Sequence, residues 1–215
     1  MSRLIIKKCS IGRSRWHWPI AGLVLLGARP ALALVSFEDK AAVKKTAVKA
    51  QDDPEGARRA FLAAYKVFMH PRCMNCHPSG DAPLQGEDSH IHGQNVKRGK
   101  DGTGKYALRC SNCHQDKHVA GENMPPGNPN WRLPSPEAPL IFQGRSPAAL
   151  ASQLKDPSRN GGKTLEQILH HVAEDKLVLG CWEPGEGRAK PPLSHGDFVR
   201  EVQAWIEKGA HVPPP

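Results

Sequence analysis

Two stretches hold the residues best suited to chemistry: Cys73-Met74-Asn75-Cys76-His77 and Cys110-Ser111-Asn112-Cys113-His114. Each reads C-x-x-C-H, the spacing with which a chain takes up haem covalently. Two thiols can add across the two vinyl groups of one macrocycle, and the imidazole that follows can bind its iron. On a helical turn, positions three and four apart share a face, so both sulfurs and the ring can meet one edge of the group.

Paired cysteines serve two other chemistries. Cys73, Cys76, Cys110 and Cys113 could form a four-thiolate zinc site. The 33 residues between the pairs exceed the ribbon spacing of about 15–20, and zinc does not require a histidine after both pairs. A dithiol redox pair goes with a βαβ pattern, which neither motif has around it. Zinc stays open as the alternative. In its two motifs the sequence resembles the c-type cytochromes. That resemblance implies two covalent c-type haems, with His77 and His114 as proximal iron ligands and single-electron transfer between redox partners as the activity.

The opposite side of each iron decides the function, because two strong ligands close a haem to substrate and an open position invites chemistry or gas binding. His92 lies in the polar stretch between the motifs, and Met124 begins a Met-Pro step after the second. The expected pairs are His77–His92 at the first iron and His114–Met124 at the second. His171 is the rival to Met124: on a helix starting after Thr164 it lies nearer the apolar stripe than His170 does. The alternative functions are a peroxidase-like haem enzyme or a ligand-binding module with one open iron.

The elements that must position these groups are short. Asp53-Pro54-Glu55 reads as a helix start, followed by Phe61, Leu62, Tyr65 and Phe68 at helical spacing. Ser146-Pro147 opens a second helix, with Ala149, Leu150 and Leu154 inward and an end near Asp156-Pro157. Thr164 caps a third, with Leu165, Ile168, Leu169 and Val172 on one face. Ser194 and Asp197 cap a last helix that carries Phe198, Val202, Trp205 and Ile206 and closes at Gly209. Residues 177–193 read as a loop. The segments 78–109 and 115–145 are rich in turn formers, and Gly99–Lys105 only approaches a phosphate-binding loop, because Tyr106 stands where Ser or Thr is needed.

The motifs begin 37 residues apart, and two joined single-haem domains would each need a larger core. The expected fold is therefore mostly α: one loop-rich domain over residues 54–215, a dihaem cytochrome c with short helices packed around both haems. With 20 Gly, 20 Pro and 6% aromatic residues, the side-chain core is modest. Residues 57–212 also resemble the small dihaem cytochromes associated with isoquinoline 1-oxidoreductase-type molybdenum hydroxylases, through Asp175-Lys176-Leu177-Val178 and Trp182-Glu183-Pro184-Gly185. This implies a molybdenum hydroxylase or other dehydrogenase as the redox partner.

Residues 1–33 have a basic start, an apolar run at 20–28 and an Ala31-Leu32-Ala33 cleavage site, the order of a secretory signal peptide. The run is too short for the roughly 20 residues of a spanning helix, so cleavage and a periplasmic location are expected ahead of an N-terminal membrane anchor. Residues 34–53 read as a flexible leader. Residues 1–33 hold six of the 30 basic residues and none of the 21 acidic ones, so the +9 formal charge falls to +3 without them. That excludes a strongly basic nucleic-acid surface. Outside the motifs stand only Cys9 and Cys181, so a disulfide framework is not the design; Cys181, beside Trp182, reads as a buried thiol.

Overall fold

The computed structural model describes residues 52–215; the expected signal peptide, nearly all of the leader and Cys9 lie outside them. The described residues form a helix-rich unit with six α-helices and two short antiparallel strand pairs. Among the described residues no helix is long and apolar enough to cross a membrane.

Helix α1 (Pro54–Phe68) starts where Asp53 accepts a hydrogen bond from the Gly56 N–H at 2.8 Å. Its buried face is Ala57, Ala60, Phe61, Ala64, Val67 and Phe68. Leu62, expected inward, is exposed instead, because at 3.6 residues per turn it falls on the face opposite the stripe of Ala57, Ala60, Phe61, Ala64, Val67 and Phe68. That next helix is α6 (His195–Glu207), capped by Ser194, whose hydroxyl accepts from the Asp197 N–H at 3.1 Å. Phe198, Val202 and Trp205 are its buried residues. The rings of Phe61 and Trp205 meet at 4.9 Å between centroids. Lys208, at the end of α6, donates to Asp53 and so ties the two helix ends together.

Helices α3 (Pro147–Lys155) and α4 (Leu165–Glu174) complete the core. Ser146 caps α3, and Thr164 with Gln167 forms a reciprocal capping box on α4, which satisfies two end donors at once. Leu150 and Leu154 are buried as expected, while Ala149 is only half-buried. The expected loop at 177–193 begins with a further helical turn, α5 (Lys176–Leu179), then a 3₁₀ turn at Gly180–Trp182. Asp175 produces this turn by accepting from the Leu177 N–H at 2.8 Å.

Between the motifs the chain makes two minimal hairpins. Strand β1 (Leu84–Gln85) pairs with β2 (His90–Ile91), and β3 (Gly104–Lys105) with β4 (Leu108–Arg109). These pairs lie within the segment expected to be rich in turns and leave the fold mostly α. Gly102 fastens this region to the segment after the second motif: its carbonyl accepts from the Leu133 N–H at 2.9 Å. Its φ is +79°, and a Cβ there would stand 2.1 Å from the Leu133 oxygen, so only glycine fits.

The apolar core is drawn almost wholly from α1, α3, α4, α6 and Phe142. Residues 75–139 contribute nothing to it. That long stretch is held instead by hairpins, turns and buried Arg98, which donates to the carbonyls of Pro134 at 2.7 Å and Gly80 at 3.0 Å.

Candidate functional site

The first motif begins on a one-turn helix, α2 (Pro71–Met74), which follows α1 after two residues and carries Cys73. The second begins as a 3₁₀ turn at Cys110–Asn112, directly after β4. In each motif the turn brings the two cysteines and the histidine round to one side. The Cys76 N–H bonds to the Cys73 carbonyl at 3.2 Å and the Cys113 N–H to the Cys110 carbonyl at 3.2 Å. All four motif thiols are free.

Both motifs open into one cavity of about 630 Å³, lined by all four cysteines, His77 and His114. That volume lies in the range of small-molecule and cofactor sites. Its inner wall is the core itself, through Phe68, Leu154, Ile168 and Phe198, and its outer wall is the inter-motif segment and the Pro-rich stretch after it.

The two histidines are held in the same way. His77 Nδ1 lies 2.7 Å from the Leu140 carbonyl oxygen, and His114 Nδ1 lies 2.8 Å from that of Pro126. A carbonyl only accepts, so the proton sits on Nδ1 and each Nε2 keeps a lone pair. Each ring is also stacked. Phe142 covers His77 at 3.9 Å and 14° between planes, and Trp131 covers His114 at 4.0 Å and 8°. Phe142 in turn meets Phe68 edge-on at 5.3 Å, so α1 positions His77 through two rings. Burial pulls the His77 pKa down to about 4, against the Leu140 carbonyl, which raises it. Burial likewise lowers that of His114. Both imidazoles are thus neutral bases at neutral pH, the form that binds a metal.

His92 and His171 also line the cavity. His92 Nδ1 donates to the Gly93 carbonyl at 2.9 Å, and His171 Nδ1 faces Asp175 Oδ2 at 3.3 Å. The Gly93 carbonyl fixes the His92 proton on Nδ1 and so leaves Nε2 with a free lone pair. His92 and His114 lie 6.4 Å apart between ring centroids. His118 also lines the cavity, but its Nδ1 accepts from the Gly127 N–H at 3.1 Å, which places its proton on Nε2. Met124 is 41% exposed and is not part of the lining; its carbonyl accepts from Arg188 at 2.6 Å. The structure thus gathers His77, His114, His92 and His171 around one cavity and leaves Met124 outside it.

The wall carries five cations, Arg72, Arg109, Arg132, Lys163 and Arg188, against one acid, Asp175. Arg72 Nε is buried with no acceptor. Cys181 is half-buried, with its sulfur 3.2 Å from the Arg72 carbonyl; a hydrogen bond with Cys73, then burial, pushes its thiol well above the ordinary range. Burial pushes Cys76 up to about 12 and raises Cys110. Among the described residues no three His, Cys, Asp or Glu side chains converge as a metal-ion cage.

Sequence reasoning missed the two carbonyls, the two stacked rings and the cationic wall. Trp131 stood out by type, but nothing in a Pro-rich stretch marks a ring as the cover of a histidine 17 residues away. Comparison with family models, curated proteins and solved structures finds no match.

Proposed function

We propose that the chain is a dihaem c-type cytochrome that carries single electrons between redox partners. One observation carries this reading: two C-x-x-C-H motifs open into a shared cavity, each with its histidine proton fixed on Nδ1 by a carbonyl and its ring stacked on an aromatic. Haem, when bound, supplies iron that changes oxidation state by one electron. Cys73 and Cys76 would hold one group, Cys110 and Cys113 the other, and His77 and His114 would bind the irons through Nε2.

The lining fits this group in further respects. The apolar wall suits a flat macrocycle. Arg72 and Arg109 already pair with Glu87 and Asp101, whereas Arg132, Lys163 and Arg188 make no ion pair among the described residues and suit its carboxylates; the buried Arg72 Nε, a donor whose unmade bond is otherwise costly, offers one of them a further partner. The motif thiols do not gather with further ligands as a zinc cage needs. The Nδ1–H···O=C bonds make each ring a stronger base and fix its plane, as the outer partners of metal-bound histidines do.

The redox partner in this reading is a molybdenum hydroxylase or other dehydrogenase, and the place of action is the periplasm, both following from the sequence resemblance and the N-terminal pattern. The test is the mass of the purified protein under denaturing conditions. The expected result is the chain plus two haem masses. A colourless protein that contains zinc would overturn the reading.

A further inference from the structure

From the cavity geometry we infer that both irons are closed by histidine, in a crossed arrangement: His92 faces His114 at the second haem, and His171 faces His77 at the first. The inference rests on the haem reading and assigns this chain's own residues to it.

The second pair rests on a distance. Two imidazoles that grip one metal through nitrogen at about 2.0–2.1 Å each set their ring centroids roughly 6.3 Å apart once the ring size is added. The His92 and His114 centroids are 6.4 Å apart, with the planes turned by 61°. The stacked pairs of this chain meet at 3.9 and 4.0 Å and the edge-on Phe68–Phe142 pair at 5.3 Å, all closer than the gap between His92 and His114. Both rings have Nδ1 engaged with a carbonyl, so the lone pairs are at the opposite nitrogens. The gap is that of two ligands with an ion between them.

The first pair rests on the path of the chain. His171 sits on α4 between Ile168 and Val172, which face the core, and lines the cavity there. The same segment continues through Asp175 and α5 to Cys181, whose sulfur touches the Arg72 carbonyl on α2. The α4–α5 segment is thereby pinned to the first motif. Asp175 Oδ2 lies 3.3 Å from His171 Nδ1, the side on which a carboxylate supports a metal-bound histidine. His170, one residue earlier, is exposed and does not line this cavity.

The test uses the intact dihaem protein. Ferrous wild type should bind no carbon monoxide. His92→Ala and His171→Ala should each bind one per chain and the double variant two, with His170→Ala behaving as wild type. Proton NMR of the oxidised native protein should place the His92 ring against the haem bound to Cys110 and Cys113, and the His171 ring against that bound to Cys73 and Cys76. Carbon monoxide binding by the wild type, opening of a haem by Met124→Ala, or His92 found against the first haem would overturn the inference and leave the haem reading intact. A chain without haem would overturn both.

Discussion

At the scale of single residues, the site depends on groups that touch no thiol. Phe142 serves the core and the first motif together, since it packs on Phe68 and stacks on His77. Phe142→Ala should lower stability by about 3–5 kcal/mol, the usual loss for a buried Phe, and release the His77 ring; urea denaturation, read beside the haem spectrum that the proposed function requires, checks both. An unchanged spectrum would mean that the stack does not position the ring. Gly127 follows the carbonyl that fixes His114, and a Cβ there would stand 2.0 Å from the Lys117 backbone. Backbone cannot yield as a flexible side chain can. Gly127→Ala should therefore cost about 1–3 kcal/mol, as overpacking does, and, on the dihaem proposal, shift the reduction potential of one haem only, as a redox titration would resolve. A shift of both potentials, or of neither, would dissociate Gly127 from His114.

At the scale of elements, the helix ends do most of the positioning. Asp53 caps α1 and accepts from Lys208 of α6. The Lys208 bond, then the Gly56 N–H, hold its carboxyl below the ordinary value of 3.8. A folded value below the unfolded one gives stability that is present above the unfolded value and lost as pH falls through the folded one. Asp53→Asn keeps the cap and loses the charge. Its denaturation midpoint should lie below wild type at neutral pH, and the two should converge in acid; parallel curves would show that the charge contributes nothing. Thr164→Ala should cost about 0.5–2 kcal/mol, as cap losses do, and fray the start of the helix that carries His171.

These ends were legible in the sequence because caps are local: Asp53, Ser146, Thr164 and Ser194 each stand next to the helix they start. The one-turn helix α5 was not, since Asp175 reads equally well as the end of α4 and the cap of α5. Within the site, the cysteines and the two following histidines could be found by spacing alone. The partners of those histidines could not, because Leu140 and Pro126 act through their carbonyls, which every residue has. Met124 and His92 are matched to irons by their place after and before the second motif, and place along the chain says little about partnership where a Pro- and Gly-rich segment can double back.

At the scale of the whole molecule, two unlike halves share the cavity. The helices bury a side-chain core of their own, whereas residues 75–139 add nothing to it and meet it across the cavity. Covalent haem would fill the space between the halves, held by Cys73 on α2 and by Cys76, Cys110 and Cys113 within the 75–139 segment. A chain with Cys73, Cys76, Cys110 and Cys113 all changed to Ser should keep α1 and α6 protected from amide hydrogen exchange while residues 78–135 exchange far faster, since weakly buried segments open locally. Equal protection throughout would mean that the hairpins and Arg98 hold that half unaided.

The paired clamps on His77 and His114 have a consequence in time. A ring fixed by a carbonyl at one edge and an aromatic on one face has little rearrangement left to make when the charge at its nitrogen changes, just as preorganised dipoles need none at the moment of reaction. For a protein that hands over electrons, the slow step would then be meeting the partner and leaving it. The polar surface presented to that partner, and not the interior, would set the pace.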